Sequence, residues 1–218
     1  MDHSDQMKSG SYWTGISRAF RELRYLGDDF RNAYHKDPAL RGKPLALLEL
    51  ITYPGLWAIS MHRMAHLLYQ IKVPFIPRLI SQVSRFLTGV EIHPGARIGR
   101  GFFIDHGHGV VIGETAEIGH DVLLFHQVTL GNASVAATGK RHPTIGDQVI
   151  IGAGAMILGP ITVGDHSQIG AGSIVTKDVP SHSLVVGNPG QVIKRFGVKI
   201  VAPGCGERQQ AIGVRHEA

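Results

Sequence analysis

Residues 145–174 divide into five consecutive blocks of six, IGDQVI, IGAGAM, ILGPIT, VGDHSQ and IGAGSI, and every block begins with Ile or Val. Glycine follows that leading residue in four of the five blocks, and a small or β-branched residue stands at the fifth position of each. This six-residue period fits neither an amphipathic helix nor a simple alternating strand. It is typical of short strands joined by tight corners, three to a coil, whose leading aliphatic residues stack into a continuous core. The stretch therefore predicts a parallel β-helix.

The same six-residue step extends upstream to Ile92, with two interruptions. Eight residues instead of six separate the aliphatic positions 104 and 112, and fifteen separate positions 130 and 145. Because a regular coil needs only packing, departures from the repeat are where function is expected. The polar residues in the two interruptions are Asp105, His106, His108, Lys140, Arg141 and His142.

The residues before the repeat have a different pattern. Both tryptophans and most aromatic residues lie before Thr88, where apolar residues recur at three- and four-residue steps. This spacing predicts helices over about 13–35, over 45–71 with an interruption near 53–55, and over 78–87. The predicted organisation is an N-terminal helical domain (1–88), a β-helix domain (89–195) and a C-terminal tail (196–218).

Composition narrows the classes of function. The 218 residues carry a formal net charge of +5, which permits an anionic partner. Because only 18% of the residues are charged, nucleic acid is weakly indicated, and an anionic small molecule fits equally well. Cys205 is the single cysteine, so a disulfide framework is excluded and a reducing, cytoplasmic setting is expected. No apolar run approaches the roughly 20 residues of a membrane span, so no membrane partner is predicted.

Five motifs carry a family resemblance. They are GVEIHPGA at 89–96, IDHG at 104–107, VIGETA at 111–116, QVTLG at 127–131 and KRHP at 140–143. Over about residues 30–195 the chain resembles the bacterial serine acetyltransferases of the hexapeptide-repeat acyltransferase superfamily. The resemblance implies an α+β protein, with the N-terminal α-helical region followed by a left-handed parallel β-helix. It also implies transfer of acetyl from acetyl-CoA, as co-substrate, to the L-serine hydroxyl, giving O-acetyl-L-serine in cysteine biosynthesis; no metal is expected.

The reaction requires a general base, because a serine hydroxyl is a poor nucleophile. The imidazole of a histidine titrates near neutrality and suits this role. By resemblance His106 is the base, and Glu91, where many family members have aspartate, is the carboxylate that orients it. A histidine at a coil corner can also be a satisfied polar residue, but the interruption and the neighbouring acid favour the catalytic interpretation.

The resemblance also implies residues that bind the two substrates. A guanidinium is well shaped to bind the serine carboxylate, and a carboxylate is the natural partner of the ammonium group. The predicted substrate-binding residues are Asp105, Arg141, His142 and Asp37. Asp37 equally fits a helix cap in its Asp-Pro context, and both interpretations stay open. The predicted contacts to acetyl-CoA are Gly131, Ala153, Ala171 and Lys177.

Partners follow from the same resemblance. A homotrimer with active sites between subunits is expected, or a dimer of such trimers, and L-cysteine is expected as a feedback inhibitor. Family members often bind O-acetylserine sulfhydrylase through their C-terminal residues, in well-known cases through a terminal isoleucine. This chain ends in Ala218, which buries far less apolar area, so weak or absent binding to that enzyme is predicted.

Other functions remain open on the same scaffold. The acceptor hydroxyl could belong to homoserine or to a sugar instead of serine. A γ-type carbonic anhydrase also uses this architecture and binds zinc through histidines, of which the chain has 13. A non-catalytic scaffold is a third alternative, but it offers no reason for the Asp105–His106 interruption.

Overall fold

The computed structural model describes residues 21–22, 24–36, 40, 46–134, 136 and 138–196. Its N-terminal part is helical, as predicted. Residues 21–22 and 24–36 form α1, followed by α2 (Ala46–Leu50), α3 (Pro54–Gln70) and α4 (Ile76–Thr88). Pro54 begins α3 and Pro77 lies in the first turn of α4, where a missing amide donor has no cost. α4 ends at Gly89, whose φ of 71° is the left-handed conformation of a helix C-cap.

The rest of the described chain consists of short strands. They are β1 (Glu91–Ile92), β2 (Arg97–Ile98), β3 (Phe103–Ile104), β4 (Val111–Ile112), β5 (Glu117–Ile118), β6 (Leu123–Leu124), β7 (Thr129–Gly131), β8 (Thr144–Ile145), β9 (Ile150–Ile151), β10 (Met156–Leu158), β11 (Thr162–Val163), β12 (Gln168–Ile169), β13 (Ile174–Val175), β14 (Ser183–Val186) and β15 (Gln191–Arg195).

Successive strands belong to three different sheets in rotation. Sheet 1 has the order β1-β4-β7-β10-β13, sheet 2 the order β11-β8-β5-β2, and sheet 3 the order β15-β14-β12-β9-β6-β3. All named pairs are parallel except β14 with β15, which closes the last coil. Three consecutive strands therefore make one coil, and the predicted parallel arrangement is confirmed.

The two interruptions leave the stacking intact. Ile157 pairs with Val175 eighteen residues later, which is one regular coil. Ile92 pairs with Ile112 twenty residues later, and Leu130 pairs with Ile157 twenty-seven residues later. The extra residues thus lie at corners, outside the strands. Consequently the aliphatic column stays in register and fully buried, and its members include Ile92, Ile112, Leu130, Ile157 and Val175.

The helical region closes the first coil through a buried arginine. Arg63 of α3 is 4% exposed, and it donates to Asp29 at 2.7 Å and to Glu22 at 3.0 Å. The same guanidinium donates to the carbonyl oxygens of Ile98 at 3.3 Å and Gly99 at 2.8 Å. These carbonyls lie at and just after β2, the edge strand of sheet 2. Arg63 therefore donates to carbonyl groups that have no neighbouring strand on that side. Burial raises the pKa of Asp29 to about 6 against the opposing effect of Arg63.

Candidate active site

The first interruption carries His106 out from the coil. His106 has a φ of 60°, and the amides of Gly107 and His108 donate back to the carbonyls of Asp105 and His106 at 2.7 and 2.9 Å. This tight double turn lies at the corner between sheets 3 and 1. The imidazole is 76% exposed, and its Nε2 lies 3.8 Å from Oδ1 of Asp105. The predicted base is therefore accessible to a substrate.

The first turn of helix α3 packs against the strand that leads into this corner. A Cβ built at Gly55, in the first turn of α3, would lie 2.3 Å from the carbonyl oxygen of Ile104. That contact is to backbone and cannot be relieved by a side-chain movement. The absence of a side chain at Gly55 thus lets the helix start directly against the strand that leads to His106.

Glu91 lies on the outer side of sheet 1 and is bound by two arginines of α4. Its Oε1 pairs with Arg78 and its Oε2 with Arg85, both at 3.3 Å. Among the described residues, the carboxylate paired with the His106 ring is that of Asp105. The pairing of Glu91 with His106 stays a prediction.

His126 is a further residue of this corner that the sequence analysis did not select. It follows β6, which pairs with β3, so it stands one coil away from His106. The two rings are edge to face, with centroids 6.1 Å apart. The Nδ1 atom of His126 is buried without a hydrogen-bond partner. Ile104 pairs with Leu124, twenty residues later, so the residue that corresponds to His106 in the next coil is His126. This register could have identified His126 from the sequence.

Two of the predicted acetyl-CoA contacts lie along the same corner. Ala153 follows β9 and Ala171 follows β12, both in sheet 3. The glycines after them have a φ of 68°, and a Cβ at either would meet no atom within 4 Å. The space beside these two glycines is therefore open. Gly131 ends β7 and Lys177 is an exposed residue after β13, so these two lie away from the corner.

The second interruption presents Arg141 and His142. The Arg141 guanidinium pairs with Oε2 of Glu114, whose Oε1 accepts a hydrogen bond from the Tyr69 hydroxyl at 3.1 Å. The Arg141 hydrogen bond is the main cause that lowers the pKa of Glu114. His142 is 8% exposed, and burial, followed by the charge of Arg141, lowers its pKa. The interruption thus holds a paired guanidinium beside an imidazole whose pKa is lowered.

The two interruptions lie at different corners. His106 is between sheets 3 and 1, whereas Arg141 and His142 precede β8 and lie between sheets 1 and 2. One chain therefore does not bring the predicted base and the predicted carboxylate-binding residues together. Asp37 lies outside the described residues, as do Cys205 and Ala218.

Within the part of the chain that the structure describes, no cluster of three or more His, Cys, Asp or Glu side chains has the arrangement of a metal site. None of the helices described is both long enough and apolar enough to cross a membrane.

A coil of six-residue repeats with an exposed histidine at an interrupted corner is typical of the hexapeptide-repeat transferases. Residues 142–177 match the family described as bacterial transferase hexapeptide (six repeats). Serine acetyltransferase of Bacillus subtilis is 56% identical over 178 residues, which cover 82% of this chain and 80% of that protein. The chain belongs to the serine acetyltransferase family.

Solved structures agree with this assignment. Soybean serine acetyltransferase in complex with serine is 42% identical, with a TM-score of 0.74 over 79% of this chain and 69% of that one. A serine acetyltransferase in complex with cysteine is 33% identical, with a TM-score of 0.76 over 85% of this chain and 74% of that one. The predicted family and its transferase class are thereby confirmed.

Proposed function

We propose that this chain transfers the acetyl group of acetyl-CoA to the hydroxyl of L-serine and gives O-acetyl-L-serine, a step of cysteine biosynthesis. The observation that carries the proposal is the identity of 56% to a serine acetyltransferase over most of both chains. The soybean relative with serine bound supports serine as the acceptor. Incubation of the purified chain with acetyl-CoA and L-serine tests the proposal: O-acetyl-L-serine should accumulate with free CoA, and CoA release without that product would contradict it.

His106 is the proposed general base. As the serine Oγ forms a bond to the thioester carbonyl carbon, its proton passes to His106 and the carbonyl π pair moves onto the oxygen. When this intermediate collapses, the pair re-forms the carbonyl, the C–S bond breaks, and the CoA thiolate takes the proton from His106. Atoms and charge balance without a metal or a redox partner. The charge of Asp105, 3.8 Å from the ring, favours the imidazolium that forms in between.

The intermediate carries an oxyanion that needs a donor. An unpaired buried N–H is costly, so the partnerless Nδ1 of His126 favours the tautomer whose proton is on Nε2. The ring centroids of His126 and His106 are 6.1 Å apart, so this ring lies beside the proposed base. His126 is therefore the proposed oxyanion donor, and the open corner along Ala153 and Ala171 is the proposed path of the CoA arm.

The separation of the two interruptions supports a site shared between subunits. We propose a left-handed coil that assembles as a homotrimer, in which His106 of one subunit faces Arg141 and His142 of the next. Glu91, Asp37, Gly131 and Lys177 keep their predicted roles in this assembly. A cytoplasmic location and weak binding to O-acetylserine sulfhydrylase also stay predictions.

Mixing two inactive variants tests the shared site. Trimers assembled from equal amounts of His106→Ala and Arg141→Ala subunits should regain about one quarter of wild-type activity, because random cyclic trimers contain that share of intact sites. Each variant alone should be inactive. If both residues acted within one chain, no intact site would form and the mixture would stay inactive.

L-cysteine is the proposed feedback inhibitor, since it shares the carboxylate and ammonium groups that Arg141 and Asp105 are predicted to hold. The relative solved with cysteine supports this. Initial rates at several serine concentrations should give inhibition competitive with serine. Inhibition that saturating serine does not relieve would instead require a separate cysteine site.

A further inference from the structure

Thr115 makes an unusual number of contacts to one segment of the second interruption. Its hydroxyl oxygen accepts from the backbone amides of Arg141 at 3.0 Å and His142 at 3.1 Å. Its backbone carbonyl accepts from the Lys140 Nζ at 2.7 Å. Three consecutive residues are thus attached to a single residue 25 to 27 positions earlier in the chain. Thr115 lies in the turn after β4, so this attachment ties the segment to the coil.

Thr115 also contacts the imidazole of His142. Nδ1 of that ring lies 3.1 Å from the Thr115 backbone nitrogen and 2.9 Å from its hydroxyl oxygen. A backbone N–H can only donate, so Nδ1 must accept and cannot carry the proton. The neutral ring is therefore protonated at Nε2. A hydroxyl has one donor and two acceptor positions. The Thr115 hydroxyl donates to Nδ1 of His142 and accepts from the amides of Arg141 and His142, so all three positions are used on this segment.

Gly113 fixes the position of the same ring. A Cβ built at Gly113 would lie 2.0 Å from Cδ2 and 2.1 Å from Nε2 of His142. The imidazole therefore lies directly against the Gly113 backbone, where no other residue type leaves room for it. Both the proton position and the placement of the ring are set by the turn 113–115.

We propose that Thr115 is a positioning residue of the amino-acid site, which fixes His142 as a neutral Nε2–H donor and holds the backbone that carries Arg141. This inference rests on the proposed function and deepens it. An Nε2–H group seeks an oxygen acceptor, so His142 binds a carboxylate oxygen of the amino acid together with Arg141. It follows that His142 is not a second general base.

The charged surroundings agree with a neutral ring. Burial lowers the pKa of His142, and the nearby charges of Arg141, His93 and Lys140 lower it further, whereas Glu114 raises it. Because these effects together lower the pKa of His142 below the ordinary value of 6.5, more than half of the rings are neutral at pH 6.5. Protonation would place an N–H at Nδ1 against the Thr115 amide and disrupt the contact.

A valine substitution separates the hydroxyl from the shape of the side chain. Thr115→Val should raise the KM for serine about 10-fold, since two backbone donors lose their acceptor. The kcat and the KM for acetyl-CoA should stay within about twofold, and Thr115→Ser should restore the serine KM. Thr162→Val, at an exposed threonine of β11, is the matched control and should change nothing. The proposal would be overturned if Thr115→Val left the KM for serine unchanged. It would also be overturned if the Thr115→Ser variant did not restore that KM.

A spectroscopic measurement on the wild-type chain needs neither a variant phenotype nor activity. In ¹⁵N-histidine-labelled protein, the His142 signals can be assigned by their loss in His142→Gln. The spectrum at pH 8, where the neutral ring predominates, should contain a protonated Nε2 and an unprotonated Nδ1. A proton on Nδ1 would contradict the role of Thr115. The absence of serine acetylation by the wild-type chain would instead count against the proposed function, so the two failures are distinguishable.

Discussion

Replacing His106 by alanine is expected to lower kcat with serine by about 10³-fold, because general acid–base catalysis contributes roughly 10²- to 10⁴-fold. The imidazole is 76% exposed at a corner and packs little of the core, so the fold should be unchanged. Initial rates of CoA release, with circular dichroism and urea unfolding of the same samples, measure both properties. The binding of acetyl-CoA should also be preserved, since the substitution removes the base and leaves the corner along Ala153 and Ala171.

His108 provides the matched control for this experiment. It is exposed in the same interruption, two residues further along the chain, and has no proposed role in proton transfer. His108→Ala should keep most of the activity. Glu91→Gln should cost less than His106→Ala, since an orienting charge is lost while the base remains. If His106→Ala kept more than a few per cent of the wild-type kcat, another group would have to be the base.

Replacing Arg141 by lysine is expected to raise the KM for serine by about 10- to 100-fold with little change in the KM for acetyl-CoA. A lysine ammonium is a point charge and cannot reproduce the two parallel hydrogen bonds of a guanidinium on a carboxylate. Arg141 also pairs with Oε2 of Glu114 through one of its terminal nitrogens. Steady-state kinetics with each substrate varied in turn measures the two KM values.

Arg97→Lys is the control for the loss of a guanidinium as such. Arg97 is 76% exposed on β2 and pairs with Glu117 at 3.5 Å, outside the second interruption. Exposed ion pairs of this kind contribute little to stability, so the KM values of the Arg97→Lys variant should not change. Equal increases of both KM values in Arg141→Lys would assign Arg141 to the phosphates of CoA instead of the serine carboxylate.

The coil could be predicted from the sequence because its period is set by one packing requirement. Every sixth side chain must enter the same core, so Ile157 and Val175 pair one coil apart as the repeat implies. The interruptions were visible for the same reason, since His106 and Arg141 stand where the period fails. Even His126 follows from the register once Ile104 is aligned with Leu124.

Other parts of the site depend on contacts that no period encodes. The pairs of Glu91 with Arg78 and Arg85 arise because α4 packs across β1. The attachment of Arg141 and His142 to Thr115 spans 26 and 27 positions and depends on how the loop folds back. Likewise, the position of His106 relative to Arg141 requires a second subunit in the proposed assembly, which a single sequence does not describe.

The acceptor is the central claim, and a direct comparison of acceptors tests it. Rates of CoA release should be measured for L-serine, L-homoserine and a hexose over a range of concentrations, with His106→Ala protein as the blank. The Arg141 and His142 pair should select an amino acid, and the corner beside His106 should favour its shorter hydroxyl. The kcat/KM for L-serine should therefore exceed that for L-homoserine by at least about 10-fold, with no release above the blank for the hexose. A higher kcat/KM for homoserine or the hexose than for serine would contradict the account.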